Sequence, residues 1–588
     1  MTRKYSDLFV DWLAASGYTT CFFVAGGNSM HILESCRKSM NCIAVVHEVT
    51  AVISAEYFNK HSQAERAFVL VTAGPGLTNA VTGIAGAWLD SRELLVVGGQ
   101  VKSTDLKSGD LRQRGIQEIG GIEIVESICK EVIRATNPLS RQEVDRLVEL
   151  TREGRKGPVF IEICIDVQAR MVTIDGSNNK KSISKKTTTA TEIEVDFVAS
   201  ALSSAERPVI LIGGGMDRLS VNALRAELNG LQIPILTSWN GADRFAADNP
   251  MWFGRPDTWG MRSANLILQQ SDLILALGVR LSFQQTGFNW RAFGPLATII
   301  HVDIDMAESS KGHPRVDQIL NVDANDLLSR LVKKVKAECQ EWIGLCKEIR
   351  DSLPLDDGEN KTALGYVSPY KFVEQLSELC DSQTSIVPCS SGGANTVMMQ
   401  AFLNKTGQIF FNNKALASMG YGLAGAIGAA VADCNRRVVL VEGDGGFSQN
   451  SQDLATVVAQ NLNLKIFIFA NNGYASIRMT QSNYFDGNYI GCDDETGLGF
   501  PDWGKLAGAY GLDHLAIDGD ISRLEGFHEL WNSSKPVLFV VKIDPNQTYF
   551  PKISSRVTTD GSMESAPLHE MSPPLADDMR KKLMPYLI

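Results

Sequence analysis

Residues 438–477 read VVLVEGDGGFSQNSQDLATVVAQNLNLKIFIFANNGYASI. The apolar run Val438 to Val441 reads as a buried strand that ends at Gly443-Asp444-Gly445-Gly446. A helical pattern from about Ser451 to Gln460 follows, and a second buried run, Lys465 to Ala470, delivers Asn471-Asn472-Gly473. That is one strand–helix–strand crossover. It places Asp444 and Asn471 at carboxyl ends of neighbouring parallel strands, where open α/β sheets bind ligands. A carboxylate, an amide oxygen and a glycine carbonyl are hard oxygen donors suited to Mg²⁺ held with a diphosphate. The glycines let backbone N–H groups approach phosphate at a helix N-terminus.

The rest of the 588 residues repeats this rhythm. Short β-rich runs (AFVLV, ELLVV, PVFIEI, PVILI, LILAL, ATIIHVDI) alternate with helical patterns, which implies parallel sheets with helices on both faces. Two polar seams, Asp175 to Thr191 and Pro354 to Lys361, divide the chain. The expected organisation is α/β, three doubly wound parallel-sheet domains over 1–174, 192–350 and 362–548, with a tail over 549–588. The tail, rich in Pro, Ser and Met, lacks the β/α rhythm and is expected to wrap over the body. No short-period repeat is visible.

Composition excludes several classes. A net charge of −11 argues against nucleic acid, whose phosphates demand clustered Lys and Arg. The one basic run, Lys180-Lys181 with Lys185-Lys186, lies in the first seam and reads as solvated linker. No stretch of some twenty apolar residues exists, so no membrane span is expected. Asp7 and Asp11 interrupt the N-terminal segment, which reads as an amphipathic helix and not a signal peptide. Eleven cysteines without a CxxC suggest reduced thiols and a cytoplasmic protein.

The Gly-Asp-Gly…Asn pattern resembles the signature of thiamine-diphosphate enzymes. By that resemblance Asp444 and Asn471 are side-chain metal ligands, Gly473 gives its backbone oxygen, and Tyr474 and Ala475 line the cofactor. Such chemistry needs a carboxylic acid beside the aminopyrimidine ring, in an apolar and partly closed place that raises its pKa. Glu48 is the candidate. It follows the apolar run Ile43 to Val46 and His47 and opens a small-residue helix, as in the family's His-Glu motif. Glu56 reads as a surface or structural acid.

Three further blocks fit in order. Phe22 to Gly27 resembles the strand and glycine turn beside the substrate, with Ala25 in place of the usual proline. Thr72 to Asn79, containing Pro75, resembles the PGxxN block that continues through Gly83-Ile84-Ala85 to Asp90. Gly99-Gln100-Val101 and Gln117-Glu118 resemble the GQV and FQE elements of acetohydroxyacid (acetolactate) synthases, with Ile116 in place of phenylalanine. Glu48, Gln117 and Gly27 are thereby the catalytic candidates, and Glu48, Pro75 and Asn79 the pyrimidine-side contacts.

In the third segment Met419 matches the bulky residue over which the cofactor bends, a proximity effect that brings its 4′-nitrogen close to C2. Ser391-Gly392-Gly393 matches a diphosphate loop, although Ala394-Asn395 stands where the synthases have His-Gln. In the middle segment Gly213, Gly214, Gly260, Gly278, Arg280 and Asp303 resemble flavin-cradling elements, with Ser282 to Gln285 replacing DDRV. Related decarboxylases keep that sheet without flavin.

The resemblance spans roughly Tyr5 to Asp544 and implies thiamine diphosphate, Mg²⁺ and FAD. It implies a homodimer or homotetramer with active sites between subunits, and a carboligase that takes pyruvate plus a carbonyl acceptor: a keto acid, an aldehyde or a keto-sugar nucleotide. A 2-keto acid decarboxylase or a C–C bond hydrolase on the same scaffold is the alternative. Tyr474 to Gln481 lacks the Gln-Gly-Met and Trp of the branched-chain synthases. The tail motifs Pro551 to Arg556 and Asp560 to Met563 look like those of branched-sugar carboligases.

Overall fold

The apolar runs become three all-parallel sheets. The computed structural model describes residues 2–173, 188–356, 358–557, 559, 561 and 563–587. The N-terminal sheet has strands β1 (Tyr18–Phe23), β2 (Asn41–Ala44), β3 (Arg66–Val71), β4 (Leu94–Gln100), β5 (Glu131–Ala135) and β6 (Pro158–Cys164), in spatial order 2-1-3-4-6-5. The central sheet has β7 (Pro208–Ile212), β8 (Ile235–Thr237), β9 (Leu273–Leu277), β10 (Thr298–Val302) and β11 (Gln318–Leu320), in order 8-7-9-10-11. The C-terminal sheet has β12 (Ser385–Val387), β13 (Ile409–Phe410), β14 (Val438–Gly443), β15 (Leu464–Ala470), β16 (Asp513–Ile517) and β17 (Val537–Lys542), in order 13-12-14-15-17-16. The first and third sheets therefore share one topology, a repeat carried by the fold and absent from the sequence.

These two sheets share one core. The Glu48–His61 helix lies against the Tyr421–Ala432 helix, with Tyr57, Phe411 and Tyr421 buried between them. Backbones approach closely because the second helix presents Gly425 and Gly428 to the first. A Cβ on Gly428 would strike the Ser54 carbonyl, and one on Gly425 would meet the Tyr57 ring. Ser54 Oγ donates to the Ala424 carbonyl at 2.8 Å. At the start of the first helix, Thr50 Oγ1 and the Val46 N–H donate to the two oxygens of Asp453 at 2.7 and 2.9 Å.

The tail packs over the body, as its composition suggests, and carries more regular structure than expected. It is partly regular, with a helix at Asp577–Leu583 and an antiparallel pairing of Lys552–Ile553 with Met571–Ser572. Leu568, Leu583 and Met584 enter the core of the central domain, and Gln270 donates to the Leu583 carbonyl at 2.9 Å. Apolar residues too sparse to form their own core thus complete a neighbour's. The N-terminal helix spans Tyr5–Ala15, after a short strand Thr2–Lys4 that pairs with Met171–Thr173. Most of the first seam, with its lysine run, lies outside the described residues. All eleven cysteines are unpaired, and Cys434 is the exposed one. Among the described residues no helix is long and apolar enough to cross a membrane.

Gly428→Ala is expected to cost about 1–3 kcal/mol, the usual range for overpacking a tight core. Gly344, inside the Gln340–Ser352 helix, faces open space. Gly344→Ala should therefore stabilise, by about 0.5–1 kcal/mol. Opposite shifts of the denaturation midpoint check the pair; equal shifts would contradict the packing described.

Candidate active site

The carboxyl end of β14 runs into a one-turn helix at Asp444–Phe447, which brings Asp444 into the interior at 1 % exposure. Its Oδ1 accepts from the Gly445 N–H at 2.8 Å, and its Oδ2 from the N–H groups of Asn471 and Asn472 at 2.9 and 2.7 Å. Burial pushes its carboxyl up to about 7, against the pull of those N–H groups. Asn472 holds a left-handed φ of 55°, which turns the chain so that the Gly473 carbonyl faces back.

The Asn471 amide oxygen lies 3.1 Å from Asp444 Oδ1 and 2.7 Å from the Gly473 carbonyl oxygen. Three oxygens this close repel unless a cation sits among them or the amide turns over to donate. An octahedral Mg²⁺ with bonds of about 2.0–2.1 Å has ligand–ligand edges of about 2.8–3.0 Å, a range that the two separations of 2.7 and 3.1 Å bracket. The nitrogen side of the amide meets the Tyr549 hydroxyl, which can donate or accept and so serves either orientation. Among the described residues no cluster of three His, Cys, Asp or Glu exists. The convergent donor set is this oxygen triad, and it fits a hard divalent cation.

Around the triad, the Gly445 Cα faces the Tyr474 ring, and Ala475 opens the Ala475–Tyr484 helix. Arg478, which the sequence reading left without a role, holds the loop: it donates to the Pro545 carbonyl at 2.6 Å and pairs with Asp493 at 3.3 Å. Gly392, at φ 79°, and Gly393 open the Gly392–Ala401 helix after β12 and Ser391, leaving free N–H groups beside the same sheet edge. Gly443 faces open space on its Cβ side. Met419 is 37 % exposed and precedes Gly420, whose left-handed φ of 80° starts the Tyr421–Ala432 helix. Beneath that start lies Glu442, pushed up to about 8 by burial, with the Gly422 and Leu423 N–H groups opposing. A glutamate inside the apolar run of β14 was the signal for it.

In the N-terminal domain Glu48 is 7 % exposed at the first position of its helix and accepts from Asn79 Nδ2 at 3.0 Å. Gly26 packs against Thr72, the half-exposed turn continues through Gly27, and Gly74 faces the Gln117 carbonyl. Pro75 is exposed at the start of the Pro75–Leu89 helix. These candidates share the carboxyl edge of one sheet. Within one chain they do not meet Met419. Ser54 faces Ala424 and Gly428 while Tyr57 faces Gly425, so the two helices run antiparallel, with Glu48 and Met419 at opposite ends of the pair. At 1.5 Å per residue that is a separation of roughly 15 Å.

Glu56 departs from the surface alternative, with 1 % exposure. It accepts from the Tyr421 hydroxyl at 2.7 Å and lies 3.6 Å from Arg92. The residues proposed for flavin lie at the carboxyl edge of the central sheet, whose strand order reverses at β7 and β9. Gly213 and Gly215 pack against Gly278, Gly260 closes a turn over Arg255 to Asp257, and Arg280 pairs with Glu308 at 3.3 Å. Burial pushes Asp303 up to about 6.

Comparison with known proteins follows the same three-part division. The chain matches the N-terminal TPP binding domain of thiamine pyrophosphate enzymes over residues 3–124, their central domain over 195–331 and their C-terminal TPP binding domain over 391–541. It is 31 % identical over 562 residues to a probable acetolactate synthase large subunit of Methanocaldococcus jannaschii, covering 92 % of each chain. It is 27 % identical to the acetolactate synthase isozyme 1 large subunit of Escherichia coli, over 94 % of this chain and 96 % of that one. With the acetolactate synthase large subunit of Lactococcus lactis it shares 28 % identity over 94 % and 95 %.

Burial pushes the Glu56 carboxyl up from its ordinary 4.5 to about 7, with Arg92 opposing. Between those values the folded chain keeps a proton that the unfolded chain has released. Stability from this group is therefore present at low pH and lost as pH rises from about 4.5 to about 7. Glu442 and Asp444 act with the same sign, so the difference between parent and Glu56→Gln isolates this group. The variant should show a shallower fall of melting temperature across that window, and parallel curves would contradict the burial argument.

Proposed function

Because the chain belongs to the acetolactate synthase-like thiamine pyrophosphate enzymes, we propose that it is a carboligase. In this reading it decarboxylates pyruvate and transfers the two-carbon unit to an acceptor carbonyl. The observation that carries the proposal is the triad of oxygens from Asp444, Asn471 and Gly473, spaced as edges of a Mg²⁺ octahedron. Thiamine diphosphate, when bound, supplies a nucleophilic carbon and an electron sink for the charge that CO₂ leaves behind.

The chain's own residues hold and orient. Asp444, Asn471 and Gly473 would take Mg²⁺, and the helix start at Gly392-Gly393 with the turn Gly443 to Gly446, whose Gly445 N–H is donated to Asp444 Oδ1, would cradle the diphosphate. Ser391, Tyr474 and Ala475 wall that cradle. Met419 gives an exposed apolar edge for the bend. Glu48 holds a proton at the aminopyrimidine nitrogen, oriented by Asn79, while Pro75, Gln117 and Gly27 line the donor side. Since Glu48 and Met419 stand at opposite ends of one helix pair, a complete site requires two copies of the chain, as a dimer or a pair of dimers. FAD is assigned to the central sheet, at Gly213, Gly214, Gly260, Gly278, Arg280 and Asp303, as a structural group, because the reaction moves no net electrons. A yellow purified protein that releases flavin on denaturation is the expected result there.

The acceptor is proposed to be something other than 2-ketobutyrate. The Ala475–Tyr484 helix presents Ile477 at 46 % exposure and no indole, and Gln481 is tied to Ile490 through both amide atoms at 3.1 and 2.9 Å. One methylene in an apolar pocket discriminates by only about 1–3 kcal/mol, so acetolactate is expected as a slow side product. Mass analysis of products from labelled pyruvate with aldehydes, keto acids and keto-sugar nucleotides tests the reading; release of CO₂ without any ligation product would favour the decarboxylase alternative.

Two substitutions probe the halves separately. Asp444→Ala should abolish Mg²⁺-dependent retention of thiamine diphosphate, seen by calorimetry; unchanged affinity would refute the ligand assignment. Glu48→Gln should fold and bind cofactor yet lose about 10²–10⁴-fold in activity, the usual scale of acid–base assistance. Exchange of the cofactor's C2 proton at the parental rate would show that another group does this work.

A further inference from the structure

Lys552 lies in the tail and ends in a half-buried, apolar setting. Its Nζ is 3.0 Å from the Met479 sulfur, 5.3 Å from the centre of the Trp259 ring and 5.5 Å from that of Phe550. Three parts of the chain thus converge on one ammonium: the tail, the central domain and the helix that follows the metal loop. Among the described residues no carboxylate pairs with it, in contrast to Lys414, which meets Asp257, and Lys582, which meets Glu348. Burial accordingly pulls its pKa down. Aromatic faces attract a cation but replace only part of its lost hydration. An ammonium held this way is poised for an anion from outside the chain.

Its position says which anion. Met479 sits on the Ala475–Tyr484 helix, which begins two residues after Gly473; at 1.5 Å per residue that places it within roughly 10 Å of the metal loop. Three residues before Lys552, Tyr549 packs its ring on Gly393 and lies against the Asn471 amide. Backbone pairing fixes the lysine beyond its own side chain, since the Ile553 N–H donates to the Thr258 carbonyl at 2.9 Å, next to Trp259. The lysine therefore stands at the edge of the proposed cofactor cradle, where tail and central domain close over it.

We propose that Lys552, with Trp259 and Phe550, forms a subsite for an oxyanion carried by the acceptor. The carboxylate of a keto acid and the phosphate of a sugar nucleotide share that chemistry. This rests on the carboligase reading above, and deepens it by assigning acceptor recognition to the tail. The Tyr474 to Gln481 segment, where the sequence reading looked for selection, then contributes Met479 as a wall.

The test uses the holoenzyme and two variants, Lys552→Met and Lys552→Arg. Lys552→Met should raise KM for an anionic acceptor at least about tenfold, the loss expected for a hydrogen bond to a charged group. CO₂ release from pyruvate and KM for the neutral acceptor acetaldehyde should stay at the parental level, and Lys552→Arg should recover most of the loss. Uridine diphosphate and 2-ketobutyrate separate the sources. If calorimetric binding of uridine diphosphate weakens in the Met variant, the phosphate is the ligand; if only 2-ketobutyrate is affected, the carboxylate is. Parental KM values and parental binding of both probes in Lys552→Met would overturn the subsite, as would absence of binding to the parent. Failure of the parent to release CO₂ from pyruvate would instead defeat the carboligase reading, and the two binding measurements would still judge the lysine.

Discussion

The contact on which the rest depends is glycine against backbone. Gly425 and Gly428 let the Tyr421–Ala432 helix sit directly on Ser54 and Tyr57 of the Glu48–His61 helix. That contact joins the N- and C-terminal sheets into one core. It also fixes the direction of both helix starts, where Glu48 and Met419 stand. Because the helices run antiparallel, the two starts point away from each other. Two domains of identical strand order, joined in this way, hold Glu48 and Met419 at opposite ends of one helix pair.

Charge is handled differently on the two sides of this contact. Glu56 is buried within the helix pair and shares its environment with Tyr421 and Arg92, all of this chain, so its needs are met internally. Asp444, Asn471 and Gly473 instead bring side-chain and backbone oxygens together, so that either a cation or the turned-over Asn471 amide must sit between them. Lys552 is the mirror case, a cation brought to apolar and aromatic neighbours with no carboxylate paired to it among the described residues. An oxygen-rich loop and a lysine without a paired carboxylate among the described residues thus lie less than a few turns of helix apart.

The central domain serves as the frame that carries the tail. Its core takes in Leu568, Leu583 and Met584, and Arg255, fully buried, donates to the Met399 and Phe402 carbonyls at 2.7 and 2.6 Å, tying it to the C-terminal domain. A tail anchored in this way is held near the Asn471 to Gly473 turn without a core of its own.

The sequence by itself determined the parallel α/β class and the position of Asp444, Asn471 and Glu48 after the carboxyl ends of their strands. Continuous apolar runs force buried parallel strands, and Gly443-Asp444-Gly445 with Asn471-Asn472-Gly473 can only fall at their carboxyl ends. Glu48 was legible because an acid directly after an apolar strand and ahead of a small-residue helix has one place to go. Tertiary structure alone decided what those pieces face. The shared order of the first and third sheets left no trace in residue identity, because topology is set by which apolar faces meet and many sequences satisfy that. Glu56 read as a surface or structural acid until the Tyr421 helix covered it. Tyr549 and Lys552 sat in a stretch without helix or strand period, and although Pro551 to Arg556 read as a motif, nothing local showed what Lys552 would face. Their roles arise from long-range packing against Gly393, Met479 and Trp259, contacts between residues far apart in sequence that only the folded chain brings within reach.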